Sequence, residues 1–181
     1  DEIKQLEVIE KLKKSVSQQI VPTFLGAHAF PSEFSNNPNG YVDLICNEML
    51  PLVSERDLAR CCDIFIEDGY FSILQGEKIL QKAVDLGFDI RLHTNEFVDC
   101  GGIELGLKFS ALSMDHLLNV SEKSLKKWAD NPTVAVLLPA TAMFLKKPFA
   151  NARQFLDSGI PTAIATDFNP GSSHCVNLQL A

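Results

Sequence analysis

The chain lacks the features that mark several classes of protein. No apolar run approaches the roughly 20 residues needed to span a bilayer. No stretch of Lys and Arg forms a basic stripe, and the net charge is -7, so nucleic acid is not an expected partner. Lys123, Lys126 and Lys127 stand near Trp128, but they read as a solvated helix face. No secretory signal opens the chain; the segment from Asp1 to Lys14 is charged and helical in pattern. The five cysteines are odd in number and contain no C-x-x-C, which fits reduced thiols in a cytoplasm. Cys46, Cys61 and Cys62 lie in apolar stretches, where a free Cys acts as a small buried hydrophobe. Cys100 and Cys175 lie in polar loops, where the neighbouring His pattern favours metal chemistry over a Cys nucleophile. Linkers, low-complexity tracts and repeats are also missing, so residues 1–181 read as one domain.

What remains is a chain of 181 residues, 46% hydrophobic and 22% charged, enough for one sizeable core. Ile3, Leu6, Ile9, Leu12 and Val16 repeat at helical spacing. Ile20 to Leu25 is a short strand-like run, and Pro31 to Gly40 is a turn-rich loop. Tyr41 to Leu50 is helical, with a break or bend expected at Pro51. A regular alternation follows. Strands are expected at 63–66, 88–93, 111–114, 133–138 and 160–166. Helices are expected at 72–86, 102–109, 121–129 and 148–158, with Ser72 and Ser121 as N-caps.

About six strand–helix units imply a parallel sheet, and continuous apolar runs such as V-A-V-L-L imply strands buried on both faces. A closed (β/α)8 barrel takes eight strands in about 250 residues. The fold expected is therefore α/β, a partial (β/α)8 TIM barrel; a complete open sheet is the alternative.

Three polar residues end apolar runs: His93 in F-D-I-R-L-H, His116 in A-L-S-M-D-H and Asp167 in P-T-A-I-A-T-D. In a parallel α/β architecture such positions converge on the rim where chemistry is done. Imidazole and carboxylate suit Zn or Fe, so His93 and Asp167 are candidate ligands of one divalent ion. Glu96 could move a proton or hold the attacking water, and His116 could hold that water or polarise a carbonyl. Each has a plainer reading: a single strand-end His is more often structural, and Asp167 could cap the turn that follows it. In T-D-F-N-P-G-S-S, the Asn169 amide, the Gly171 N–H and the Ser172 hydroxyl could cradle a small carboxylate or amide, or form an ordinary polar loop. His28 could reach the same rim, though alone it reads as structural.

The blocks F-L-G-A-H-A-F-P, Y-V-D-L-I-C-N-E-M-L-P, C-D-I-F-I-E-D-G, L-H-T-N-E-F, S-A-L-S-M-D-H-L, V-A-V-L-L-P and A-T-D-F-N-P-G-S, in that order, resemble the imidazolonepropionase family of metal-dependent amidohydrolases. The resemblance runs from about Ile20 to Ser173. It implies a TIM barrel that hydrolyses the cyclic amide 4-imidazolone-5-propanoate to N-formimidoyl-L-glutamate in histidine degradation. It implies His93 and Asp167 as ligands of one Zn or Fe ion, with Asp167 also moving a proton. Glu96 and His116 would contact water and the ring carbonyl, and His28, Glu96, Asn169, Gly171 and Ser172 would bind substrate. It further implies a cytoplasmic enzyme, a homodimer in full-length form, with a small-molecule substrate and no nucleic-acid or membrane partner.

The family's His-x-His does not occur here, and its Arg and Tyr for the propionate side have no counterpart. Thr94 and Asn95 stand where Ala and Asp are common. Two alternatives stay open: another amidohydrolase such as a deaminase, or a catalytically inert chain because the first-strand ligands are absent.

Overall fold

A computed structural model describes residues 2–181; Asp1, the first residue of the charged opening segment, lies outside the described residues. Six strands alternate with helices, and their order in the sheet follows the chain. By packing, the chain divides into two compact units, residues 1–91 and 92–181.

In the first unit, α1 (Glu2–Leu12) turns Leu6 inward and stops short of the expected Val16. Strand β1 (Thr23–Ala27) starts later than expected, just past Pro22, whose carbonyl accepts the Arg60 N–H at 3.1 Å. It pairs in parallel with β2 (Cys61–Ile66), Thr23 opposite Cys61, with an irregularity between Phe24 and Ala27. Strand β2 is buried at every position, as a parallel strand covered on both faces should be.

Helix α2 (Pro38–Leu44) passes through a π-helical turn (Ile45–Met49) into α3 (Leu50–Glu55). The expected break at Pro51 is absent. Pro51 falls in the first turn of α3, directly after the wider π turn, where a missing N–H costs little. Helix α4 (Ile73–Asp85) begins with a full capping box: Ser72 accepts the Gln75 N–H, and the Gln75 side chain accepts the Ser72 N–H. Strand β3 (Asp89–Thr94) opens with the Asp89 N–H on the Arg60 carbonyl, and Arg60 and Asp89 form an ion pair of 2.8 Å.

The second unit continues from the end of β3 into α5 (Gly102–Lys108), β4 (Ser113–His116), α6 (Glu122–Trp128), β5 (Val134–Leu137), α7 (Pro139–Phe144), α8 (Ala152–Asp157) and β6 (Thr162–Ile164). Strands β4, β5 and β6 are parallel, with Ser113 opposite Val134 and Ala135 opposite Thr162. Helix α7 was not expected; its six residues are too few to show a helical repeat.

Helix α5 sits close to the sheet because a Cβ at Gly102 would overlap the Thr94 hydroxyl, and one at Gly106 would overlap the Met114 sulfur. Trp128 is fully buried, donates its indole N–H to the Thr133 carbonyl at 3.0 Å, and meets Phe155 edge-on. That ties α6 to the residue before β5 and to α8. No described helix is long and apolar enough to cross a membrane.

Candidate active site

Left-handed backbone recurs at strand ends of the second unit, besides Ser110, Asp130 and Lys146 elsewhere in it. Asn95, His116, Leu117 and Asp167 all have positive φ, between 50° and 77°. Non-glycine residues hold this conformation only where their surroundings enforce it, and such positions concentrate at functional sites.

Strand β3 alternates: Ile90, Leu92 and Thr94 are buried, while His93 is half-buried on the other face. Just beyond it, Glu96 is buried, and His116 at the end of β4 is equally so, each about 6% exposed. A carboxylate withdrawn this far from water is costly without a polar or charged neighbour. Its neighbour is His116: Glu96 Oε1 lies 3.6 Å from His116 Nδ1, beyond hydrogen-bonding distance. The His93 and His116 rings are 5.4 Å apart between centroids, inclined at 53°.

Thus His93, Glu96 and His116, read separately from the sequence, come together. The structure adds Asp115, one of whose carboxylate oxygens lies within 4.8 Å of a His93 ring nitrogen. The signal available for it was an acidic residue directly before His116 in the run A-L-S-M-D-H. A small cleft of about 130 Å³ adjoins His116 and is walled by Leu118, Leu137, Pro139, Phe149 and Ile164.

The other sequence candidates sit on different elements. Asp167 follows β6, and its Oδ2 accepts a 2.6 Å hydrogen bond from the buried Thr141 hydroxyl on α7. The Asn169 side chain accepts from the backbone N–H groups of Gly171 and Ser172, both at 2.8 Å, and donates to the Asp167 carbonyl at 2.7 Å. The groups read as a substrate cradle therefore satisfy one another here, and they brace the Asp167 backbone in its left-handed conformation. His28, in the first unit, is exposed just after β1 and stacks on Phe65 at 5.7 Å. Of the five cysteines, Cys46, Cys61 and Cys62 are buried, and Cys100 and Cys175 are half-buried.

The chain is 47% identical over 180 residues to the imidazolonepropionase of Thermoanaerobacter pseudethanolicus, covering 99% of this chain and 43% of that protein. Over nearly its whole length the chain is similar to imidazolonepropionases. The enzymes of that name from Clostridium tetani and Bacteroides thetaiotaomicron are 46% and 45% identical, again over 99% of this chain and 43% of their own length. The chain thus spans under half the length of the curated imidazolonepropionases it matches. No protein-family profile matches it.

Solved structures share the fold at low identity. A guanine deaminase from C. acetobutylicum with bound guanine aligns with a TM-score of 0.70 at 14% identity, over 96% of this chain and 45% of its own. A zinc-bound adenosine deaminase from Xanthomonas campestris aligns at 0.68 and 18%, over 97% and 42%. A triazine hydrolase variant aligns at 0.65 and 16%, over 92% and 42%. These structures share with the chain its alternation of parallel strands and helices, a partial (β/α)8 barrel.

Proposed function

We propose that this chain forms part of an enzyme that hydrolyses 4-imidazolone-5-propanoate to N-formimidoyl-L-glutamate, acting as one barrel domain in the cytoplasm. The observation that carries the reading is the buried Glu96–His116 pair, 3.6 Å apart, beside the His93 ring. Two imidazoles and a carboxylate drawn into one partly dry site form acid–base machinery that packing alone does not require.

A divalent ion fits the donors present. His93 offers imidazole nitrogen, and Asp115 brings a carboxylate within 4.8 Å of it, a mixed N and O set that suits Zn or Fe. By the family resemblance His93 and Asp167 would hold the ion. When bound, it would polarise the ring carbonyl and lower the pKa of water to about 7.

The chain's own residues do the rest. Glu96 Oε1 takes the proton of the attacking water, and His116 holds the carbonyl oxygen as negative charge builds on it. The ring C–N bond breaks, the carbonyl carbon keeps the new oxygen, and the leaving nitrogen gains a proton passed through Asp167. By the family resemblance Asn169, Gly171 and Ser172 would bind the polar tail of the substrate, exchanging for it the hydrogen bonds they make to one another; His28, on the first unit, is assigned to substrate by the resemblance alone. The full-length protein would act as a homodimer, on a small molecule alone.

The test supplies the metal-loaded protein with 4-imidazolone-5-propanoate and, in separate arms, with guanine and adenosine. Mass spectrometry should find N-formimidoyl-L-glutamate and no deaminated base. Glu96→Gln should lower turnover by about 10²- to 10⁴-fold. Deamination without ring opening, or a Glu96→Gln variant with full activity, would overturn the reading.

A further inference from the structure

Glu96 is carried on the loop after β3, and His116 ends a different strand, so their approach depends on something that ties the two together. The structure shows a set of hydrogen bonds made by two asparagines. The Asn95 side-chain amide donates to the Asn119 carbonyl at 2.6 Å and to Asp99 Oδ1 at 3.0 Å. Its own oxygen accepts from the Thr94 hydroxyl at 2.9 Å. In return, the Asn119 backbone N–H donates to the Asn95 carbonyl at 2.9 Å, and the Asn119 side-chain amide donates to the Glu96 carbonyl at 3.0 Å. A further link joins the Leu117 N–H to the Thr94 carbonyl at 3.3 Å. Asn95 is fully buried and every polar atom of its side chain is used.

We infer that Asn95 and Asn119 form an amide clamp that fixes the Glu96 carboxylate against His116; both are positioning residues. The bonds span the backbone on either side of the pair, at residues 94–96 and at residues 117–119. Three residues in this stretch, Asn95, His116 and Leu117, stand at positive φ, and the clamp supplies the surroundings that hold them there. The donor chemistry requires amides. Both partners of the Asn95 NH2 group are acceptors, the Asn119 carbonyl and the Asp99 carboxylate, so an aspartate at 95 would set oxygen against oxygen. The same holds at 119, where the side chain faces the Glu96 carbonyl.

The inference rests on the hydrolytic reading for its kinetic consequence but not for its geometry, and the experiment separates the two. Asn95→Asp and Asn119→Asp are each measured for backbone amide exchange at Asn119 and Leu117, and for kcat, KM and thermal midpoint in the metal-loaded protein. Asn119→Asp keeps both backbone bonds of residue 119 and loses the side-chain link to the Glu96 carbonyl, together with a longer one of 3.5 Å to the Asn95 carbonyl, so it serves if Asn95→Asp fails to fold. Amide exchange should quicken by about tenfold or more in Asn95→Asp. In both variants kcat should fall about ten- to a hundredfold, the scale of misplacing a reacting group by about 1 Å, with KM changing far less.

Unchanged exchange in Asn95→Asp overturns the clamp whatever the activity. A kcat that stays at the parent value in both variants, while Glu96→Gln abolishes turnover, overturns the positioning role. If Glu96→Gln itself leaves turnover intact, the hydrolytic reading has failed, and amide exchange alone decides whether the clamp exists.

Discussion

Glu96, His116 and Asp167 show how single residues acquire meaning from their surroundings. Glu96 and His116 are polar groups with little access to water, and they are buried side by side. Asp167 is turned into its left-handed backbone by the Asn169 turn, with its carboxylate held by Thr141. Cys62 carries a separate, testable consequence at this scale. Burial pushes its thiol well above the ordinary range, helped by the nearby Asp63 charge and by Cys46 and Cys61. In the unfolded chain the same thiol ionises at about 8.5. Below that pH both states stay protonated and Cys62 adds no pH dependence. As pH rises beyond it, only the unfolded chain loses the proton, so stability drops by up to about 1.4 kcal/mol per pH unit. Urea midpoints measured under reducing conditions between neutral and alkaline pH should show this decline. A Cys62→Ala variant should show a shallower one; equal slopes would refute the assignment.

At the level of elements, the strands and helices follow from local chemistry, and their seating follows from small residues. Helix α5 approaches β3 and β4 only because Gly102 and Gly106 present no Cβ. Gly102→Ala should therefore push against Thr94, the residue whose hydroxyl braces Asn95. A loss of about 1–3 kcal/mol, read as a lowered thermal midpoint, is the expected result. An unchanged midpoint would mean that the helix can slide outward freely. The run from α2 through the π turn into α3 shows where a local rule misleads. Proline ends a helix when it removes an interior hydrogen bond, but Pro51 enters in the first turn after a wider one. Helix α7, at six residues, is too short to display a helical periodicity in the sequence.

On the scale of the whole molecule, apolar surface is the quantity that has consequences. Strand β6 is half-buried at Thr162 and exposed at Ala163 and Ile164, unlike the fully buried β2. Phe149, Phe168, Val176 and Leu180 are also exposed, each by more than 60%. Exposed apolar side chains in this number favour association over a solvated surface. The chain by itself should form dimers or larger species as concentration rises, seen by light scattering or sedimentation. A monomer at every concentration tested would count against this. The net charge of -7 opposes association only weakly at physiological salt, where charges are screened beyond about 8 Å.

Read without coordinates, the chain already determined its strand–helix alternation, the capping at Ser72 and Ser121, the burial of Cys46, Cys61 and Cys62, and the candidacy of His93, Glu96, His116 and Asp167. These depend on local chemistry: apolar runs, cap hydroxyls, and polar residues interrupting an apolar pattern. Three-dimensional packing alone decided that Glu96 reaches His116, that Asp115 stands beside His93, that Thr141 holds Asp167, and that Asn95 and Asn119 bind the two loops. The partners in these contacts lie between about 20 and 26 positions apart along the chain. No periodicity or spacing encodes such pairings, because they arise only when separate strands are laid side by side.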